Sequence, residues 1–194
     1  MALAIAGRYN YFMQPILSVP DPILRTKSVP IDRITPDIQA KIIELSDTMV
    51  NAHDPEGVGL SFPQIGYNIR GFVTYLDKRI KVYLNPSIVD ASEEMTQGGT
   101  ESRPTLEGCL SIPWLYGPVW RHKKIKVRAI DEHGVEFFKT LSSFPARLFQ
   151  HEYDHLEGVL FTDYTIKENL PLYLLDKENE KFVTIEDPGS VIKW

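Results

Sequence analysis

The sequence predicts an α+β domain in which mixed or antiparallel β-sheets pack around one central helix. Three observations lead to this prediction. Apolar residues recur at helical spacing between positions 37 and 51, segments between positions 71 and 141 alternate as strands do, and a second helical pattern follows Pro145. That second helix carries the pattern His-Glu-x-x-His. With 194 residues, 43% of them hydrophobic and 24% charged, the chain is long enough to bury one full core.

Composition limits the partners and the compartment that we expect. The formal net charge of −5 disfavours a nucleic-acid-binding surface. No apolar run approaches the roughly 20 residues that span a bilayer, and the amino terminus lacks the basic start and the apolar core of a signal peptide. The single cysteine excludes an internal disulfide and suits a reducing compartment. We therefore expect a cytoplasmic protein that binds neither nucleic acid nor a membrane.

The first half of the chain is predicted to contain one helix and two strands. Residues 1–12 are interpreted as an N-terminal extension. Apolar residues at spacings of three and four between 37 and 51 indicate an amphipathic helix. Three glycines between 57 and 66 indicate a loop in which the backbone turns sharply or approaches another group closely. Residues 71–76 and 81–89 are predicted to be two strands, separated by the charged turn Asp77-Lys78-Arg79.

The second half is predicted to contain two hairpins, one on each side of the second helix. Residues 121–130 and 135–141 form the first hairpin, and residues 159–164, after the helix, are predicted to be a short strand. The C-terminal tail, residues 167–194, is assigned to the same domain. The strands predicted for its hairpin are 170–175 and 181–185.

The helix with His-Glu-x-x-His has the spacing of a metal-binding helix. Residues i and i+4 share one helical face, so His151 and His155 can bind the same ion. Glu152 lies about 100° further round the helix, where its carboxylate could reach a water molecule on that ion rather than the ion itself.

The ends and the composition of this helix indicate that it is buried. Ser143 or Phe144 is the predicted cap, Pro145 suits the first helical position, and Gly158 suits the end. Apolar side chains cover most of the circumference, so two histidines and a carboxylate on it need a function. The alternative is a surface helix that matches the pattern by chance.

Cys109 is open to three interpretations from its residue type alone: a small buried hydrophobe, a reactive thiol or a metal ligand. A glycine precedes it, and a helix with two candidate metal ligands lies downstream.

Three segments of the chain together resemble the signature of the peptide deformylases. The second motif of that family, Glu-Gly-Cys-Leu-Ser, is complete at residues 107–111, and the third, Gln-His-Glu-x-Asp-His-Leu-x-Gly, is complete at residues 150–158. The first motif, Gly-x-Gly-Leu-Ala-Ala-x-Gln, differs at its two alanines, which are Ser61 and Phe62 here. It is matched at Gly57, Gly59, Leu60 and Gln64. The resemblance extends from about residue 13 to residue 164, so we take residues 13–166 as a peptide-deformylase-like catalytic domain.

The resemblance implies one divalent metal ion, held by Cys109, His151 and His155 with water as the fourth ligand. Three protein ligands and an open position are typical of catalytic metal sites, whereas structural sites are closed by a fourth ligand. The resemblance favours Fe(II), which members of the family typically use, while Zn, Ni or Co would also be tolerated.

The reaction implied is hydrolysis of the N-formyl group from the formyl-methionine that begins a new polypeptide. Glu152 would act as general base and then as general acid. The Gln64 side-chain amide and the Leu110 backbone N–H would stabilise the oxyanion. The implied partners are N-formyl-methionyl nascent peptides, with transient proximity to the ribosome.

The same resemblance implies how a peptide would bind. The backbone of Gly59 would hydrogen-bond to the substrate, which an extended peptide can meet as an added strand. Val58, Phe144, Leu148 and the ring of His151 are the candidates for the pocket of the methionine side chain.

Other functions remain open at this point. A zinc endopeptidase shares His-Glu-x-x-His, but such enzymes usually take their third ligand from a downstream Glu or His, and no histidine follows His155. A non-catalytic peptide-binding relative would have no need of Glu152 or Gln64. A purely structural zinc domain is not needed by a chain that can bury a large core.

Two side chains carry predictions about packing. Asp154 lies on the buried helix and needs a cationic partner, for which Arg121 is the first candidate and Arg147 the second. Phe62 replaces a small residue. Its ring is predicted to turn into the core, with a small neighbour such as Ala146 compensating, rather than to face the substrate groove.

Overall fold

A five-stranded antiparallel sheet forms the larger wall of the domain. The computed structural model describes residues 13–100 and 102–188, so the extension predicted at 1–12 and the last residues of the tail lie outside the described residues. The strand order in the large sheet is β1-β2-β3-β8-β9. Its strands are β1 (Gly59–Ser61), β2 (Gly71–Leu76), β3 (Arg79–Ala91), β8 (Lys124–Ile130) and β9 (Glu136–Ser142).

A second antiparallel sheet, of four strands in the order β11-β10-β6-β5, forms the other wall. Strands β4 and β7 pair with each other in a separate two-stranded sheet. The strands of both are β4 (Met95–Thr96), β5 (Leu106–Cys109), β6 (Ile112–Pro118), β7 (Arg121–His122), β10 (Leu172–Asp176) and β11 (Lys181–Ile185). The predicted α+β class is confirmed. Strand pairing within the described sheets is antiparallel, and an isolated bridge between Val29 and Ile69 is parallel.

Within residues 13–100 and 102–188, three α-helices pack on these sheets: α1 (Pro36–Val50), α2 (Ser143–Leu156) and α3 (Phe161–Lys167). At the start of α1, the hydroxyl of Thr35 accepts the N–H of Ile38 at 3.2 Å, which satisfies one of the free donors of the first turn. Ile42, Leu45 and Met49 of α1 are buried in a core cluster with residues of β1, β2 and β3. Among the described residues, no helix combines the length and the apolar character needed to cross a bilayer.

The central position of α2 follows from its composition. It packs against β1, β2, β8 and β9 of the large sheet and against β7. Nearly every side chain from Ala146 to Glu152 is buried, including the polar Arg147 and Gln150. The amide of Gln150 bonds the backbone N–H and C=O of His122 on β7, both at 3.0 Å, so this polar side chain is satisfied inside the protein.

The end of α2 requires glycine at the predicted position. Gly158 has φ +72°, in the left-handed region. A Cβ on this residue would also lie 2.6 Å from the backbone oxygen of Arg25. Both the conformation and the close approach therefore exclude other residues.

Three local predictions were wrong. The cap of α2 is Ser142, so the helix begins earlier than a cap at Ser143 or Phe144 implies. The segment 57–66 is not only a loop, because it forms β1 and a 3₁₀ helix, Phe62–Ile65. The strand predicted at 159–164 is the start of α3 instead, where the Asp163 carboxylate accepts the Leu160 N–H at 2.9 Å. A short apolar run does not by itself distinguish a buried strand from a buried helical turn.

The ring of Phe62 lies in the core, as predicted. It is fully buried in the same cluster as Leu60 and Val73, and it meets the ring of Tyr67 edge-on at 6.4 Å between centroids. Gly71 provides the space, because a Cβ there would lie 3.2 Å from the Phe62 ring. Ala146, which we expected to compensate, belongs to a different core cluster.

Candidate active site

The structure brings Cys109, His151 and His155 together. Cys109 ends β5, where the register with β6 shifts, and the two histidines lie on adjacent turns of α2. One ligand atom from each residue lies within 4.8 Å of the others, and the distance from the Cys109 sulfur to Nε2 of His155 is 3.3 Å. Among the described residues, the cluster offers three candidate metal ligands. A catalytic metal site has three protein ligands and leaves a fourth position for water or substrate, so the cluster matches that type.

The chemistry of the three ligands fits a transition metal. A thiolate and imidazoles suit Fe, Zn and other borderline cations better than Mg²⁺ or Ca²⁺. Burial holds the pKa of His155 well below its ordinary value, so its ring is neutral, which is the form that binds a metal. Burial also lowers the pKa of His151, but hydrogen bonds to Cys109 and Glu107 outweigh it and raise that pKa. Binding of a cation would displace the proton.

Glu107 orients His151 and was missed by the sequence analysis, in which it was only one letter of a motif. Its Oε2 lies 3.0 Å from Nδ1 of His151, which leaves Nε2 of that ring for a metal ion. Carboxylates in this position fix the orientation and the tautomer of metal-binding histidines. A signal was available: residues i and i+2 of a strand point to the same face, so Glu107 must lie on the side of β5 that carries Cys109.

Two arginines compensate the buried charge of Glu107. Arg121 donates from Nε to Oε1 at 3.0 Å and from Nη2 to Oε2 at 2.9 Å, and Arg147 donates to Oε1 at 2.6 Å. Burial alone would raise the pKa of Glu107. Arg121 and His151 outweigh it and hold the pKa well below its usual range. The carboxylate is therefore ionised in the folded protein.

The predicted partner of Asp154 is confirmed as Arg121. Nη1 of Arg121 lies 2.5 Å from Oδ2 of Asp154, and the hydroxyl of Tyr164 donates to Oδ1 at 3.1 Å. Arg147, the second candidate, pairs with Glu107 instead. Arg121 thus connects the helix that carries the histidines to the strand that carries the cysteine.

Glu152 is buried beside the three ligands. Burial raises its pKa to about 7. Its Oε2 has no hydrogen-bond partner among the described residues. Gly59 approaches it closely, because a Cβ on Gly59 would lie 2.4 Å from Oε1 of Glu152. Any larger residue at position 59 would displace the carboxylate.

The amide of Gln64 is held with its nitrogen towards the cysteine. Its oxygen accepts the Ser61 N–H at 2.8 Å and the Ser61 hydroxyl at 2.9 Å. Its nitrogen lies 3.6 Å from the Cys109 sulfur and 3.2 Å from the Ser111 hydroxyl. The Ser61 backbone N–H can only donate, so the end of the Gln64 amide that it contacts must be the oxygen.

A cleft of about 220 Å³ opens above these groups. It is lined by the residues proposed for substrate binding and for catalysis: Val58, Gly59, Gln64, Leu110, Phe144, Leu148 and Glu152, together with Cys109 and His151. Leu148 is buried, whereas Val58 is 38% exposed and Phe144 is 47% exposed, so the latter two lie at the mouth.

One edge of β1 faces this cleft, and no strand in the described part of the chain pairs with that edge. β1 is the end strand of its sheet, and Leu60 lies between Gly59 and Ser61 in it. The Ser61 N–H donates a hydrogen bond to the Gln64 side chain, so it points away from β2. In a strand, residues two positions apart present their backbone groups on the same side. The backbone of Gly59 therefore also points to the free edge.

A buried helix with His-Glu-x-x-His, a cysteine placed to act as third ligand, and a buried carboxylate beside them at an open cleft are features of a metal-dependent hydrolase. Residues 13–170 match the polypeptide deformylase family. The chain is 38% identical over 176 residues to the chloroplastic peptide deformylase 1B of Solanum lycopersicum. The aligned region covers 88% of this chain and 58% of that protein. It is 41% identical to a peptide deformylase of Pseudothermotoga lettingae, over 74% of this chain and 77% of that protein.

The fold is similar as well. The crystal structure of peptide deformylase from Thermotoga maritima superposes with a TM-score of 0.71 at 33% identity, over 79% of this chain and 97% of that one. The chain belongs to the polypeptide deformylase family, whose metal-dependent enzymes remove the N-formyl group from new polypeptides.

Proposed function

We propose that the deformylase reaction of this chain takes place at the cleft above Cys109, His151 and His155, with Glu152 as general base and acid. The observation that carries this proposal is the buried Glu152 carboxylate, which has one oxygen unpaired among the described residues and lies beside three convergent metal ligands. A buried and unpaired carboxylate is costly for the fold, so a role in chemistry accounts for it.

The cation that we propose at this site is Fe(II), held by Cys109, His151 and His155. When bound, such an ion polarises the formyl oxygen and lowers the pKa of water. The thiolate ligand reduces the effective charge on the ion, while Glu107 keeps the His151 ring in place through the 3.0 Å contact. Zn, Ni and Co remain alternatives, because the ligand set narrows the metal without fixing it.

Glu152 moves the proton. Burial raises the pKa of its carboxyl group, which makes the carboxylate a stronger base that can accept a proton from water and return it to the departing amine.

Gln64 and Leu110 stabilise the oxyanion. The Gln64 amide nitrogen is already directed at the cysteine, and its oxygen is held twice by Ser61, so the donor needs no reorganisation during the reaction. Leu110 follows Cys109 directly and lines the same cleft, which is where its N–H is needed.

The substrate is an extended N-terminal segment of a nascent polypeptide. It adds to the free edge of β1 through the backbone of Gly59, and the methionine side chain contacts Val58, Phe144, Leu148 and the His151 ring. We place the enzyme in a reducing compartment such as the cytoplasm, close to ribosomes, because formylated chains arise there and because a thiolate ligand must stay reduced.

Formate release from formyl-Met-Ala by anaerobically purified, iron-loaded protein tests this function. We expect turnover of the formyl peptide and no reaction with acetyl-Met-Ala. Cleavage of internal peptide bonds without release of formate would instead identify a zinc endopeptidase.

A further inference from the structure

The β10–β11 hairpin lies beyond the part of the chain that matches the family, which ends at residue 170. It is nevertheless part of the domain. Tyr173 and Leu174 of β10 pair with Tyr116 and Leu115 of β6, so the hairpin extends the sheet that carries Cys109. This placement brings the turn of the hairpin to the cleft.

The turn contacts two segments that line the cleft. Nζ of Lys177 lies 3.6 Å from the centroid of the Trp114 ring and 2.6 Å from Oδ2 of Asp54. Trp114 lines the cleft, and so do residues 55–57, which follow Asp54 directly. One ammonium group therefore joins the two lining segments, which are far apart in the chain.

The hairpin also contacts the cleft through an aromatic pair. The ring of Phe182 meets that of Tyr116 at 5.2 Å between centroids, nearly edge to face. Tyr116 lines the cleft and covers Gly108, where a Cβ would lie 2.5 Å from the Tyr116 ring. The negative charge of Asp54 also acts on Tyr116: burial first, and then this charge, raises the pKa of its phenol. The hairpin thus contacts Tyr116 through Phe182, and Trp114 and Asp54 through Lys177.

Trp114 has a backbone conformation that needs support. Its φ is +67°, in the left-handed region that a bulky residue rarely adopts. Such strained positions persist only when surrounding contacts hold them. The ammonium of Lys177 above the ring is one such contact.

We propose that Lys177 is a specificity-determining residue for the substrate positions that follow formyl-methionine. This inference rests on the proposed deformylase function. Trp114 and residues 55–57 line the same cleft as the proposed catalytic residues. Later residues of the peptide pass between Trp114 and the segment after Asp54, whose separation Lys177 fixes.

Lys177 also sets the charge at this end of the cleft. Asp54 and Glu56 are exposed there, and Lys177 compensates one of the two negative charges. Without the lysine, an acidic residue in the peptide meets two carboxylates, whereas a basic residue is attracted by them.

The variant Lys177→Met tests this inference in the metal-loaded, full-length enzyme. The substrates are formyl-Met-Ala, formyl-Met-Ala-Ala-Glu and formyl-Met-Ala-Ala-Lys. We expect KM for the glutamate peptide to rise about three- to tenfold, the loss that one exposed cation–π contact and one exposed ion pair imply. The rise for the lysine peptide should be smaller. For formyl-Met-Ala, KM and kcat should stay within about twofold of wild type.

Two further variants separate this role from a general effect on folding or charge. Lys177→Arg keeps the positive charge and a cation that can lie over the Trp114 ring, so its KM for the glutamate peptide should be closer to wild type than that of Lys177→Met. Lys181→Met removes the same charge from the same hairpin at an exposed position that does not line the cleft, so it should behave as wild type.

An unchanged KM for the longer peptides in Lys177→Met overturns the inference, and so does an equal rise for formyl-Met-Ala or an equal effect of Lys181→Met. Wild-type enzyme that releases no formate from any of these peptides refutes the proposed function itself, which is a different result.

Discussion

Glu152 differs from the other carboxylates around the metal ligands because one of its oxygens has no partner among the described residues. Glu107, in contrast, is bonded by Arg121, Arg147 and His151. At the scale of single residues, the two acids therefore have separate tasks: Glu107 orients a metal ligand, and Glu152 is available to a proton.

Replacement of Glu152 by Gln tests this division. The amide keeps the shape of the side chain but cannot accept the proton, so we expect turnover to fall about 10²- to 10⁴-fold while metal content is unchanged. Formate release and metal analysis measure the two quantities. Glu157→Gln, at the C-terminal end of the same helix, should retain activity. Wild-type turnover in Glu152→Gln would remove this residue from the mechanism.

Ser61, one of the two departures from the family motif, contributes a hydroxyl to the position of Gln64. In Ser61→Ala the backbone N–H still holds the amide oxygen, but the 2.9 Å bond from the hydroxyl is lost. One hydrogen bond contributes about 1 kcal/mol, so we expect kcat to fall about fivefold with little change in KM.

The matched control for this variant is Ser46→Ala. Ser46 is also buried and also makes one hydrogen bond, to the Ile42 carbonyl at 2.7 Å, but it lies on α1. The two variants should lose similar thermal stability, and only Ser61→Ala should lose kcat. An equal effect on kcat would show that the Ser61 hydroxyl does not position Gln64.

At the scale of elements, Arg121 joins β5 to α2. It is 4% exposed and pairs with Glu107 and Asp154, so its removal leaves the buried Glu107 and the partly buried Asp154 with fewer partners. We expect Arg121→Met to lower the free energy of unfolding of the metal-loaded protein by about 3–5 kcal/mol, measured by urea denaturation.

A surface arginine provides the comparison. Arg25 pairs with Asp163, and their side chains are 33% and 38% exposed. Solvent screens such a pair, so Arg25→Met should cost less than about 1 kcal/mol. If both variants lose the same stability, the buried network is not what connects the two elements.

Phe62 belongs to the packing of β1 and α1 rather than to the cleft. Phe62→Ala should cost about 3–5 kcal/mol, as large-to-small changes in a core do. The relative kcat/KM values for formyl-Met peptides that differ at the second and third residues should be unchanged. Unchanged stability together with a shift in peptide preference would contradict the core position of the ring.

At the scale of the whole molecule, the sequence predicted the cluster of Cys109, His151 and His155 and the pair of Arg121 with Asp154, but not the contacts of the C-terminal hairpin. The convergence of the three candidate metal ligands follows from helical spacing and from a motif, and the bounds of β2 were predicted without error because a charged turn ends it. The short run at 159–164 was mistaken for a strand because its helical state depends on the Asp163 cap. Contacts such as Lys177 with Asp54 join residues 123 positions apart, and no local pattern encodes them.

The free edge of β1 also limits when a substrate can be processed. In the proposed binding mode, the substrate backbone must offer unpaired N–H and C=O groups to a strand of only three residues. An amino terminus that has joined a sheet or a helix of its own fold has already paired these groups. Deformylation therefore competes with the folding of the nascent chain. Proteins whose amino terminus folds fastest should retain the formyl group most often when the enzyme is scarce.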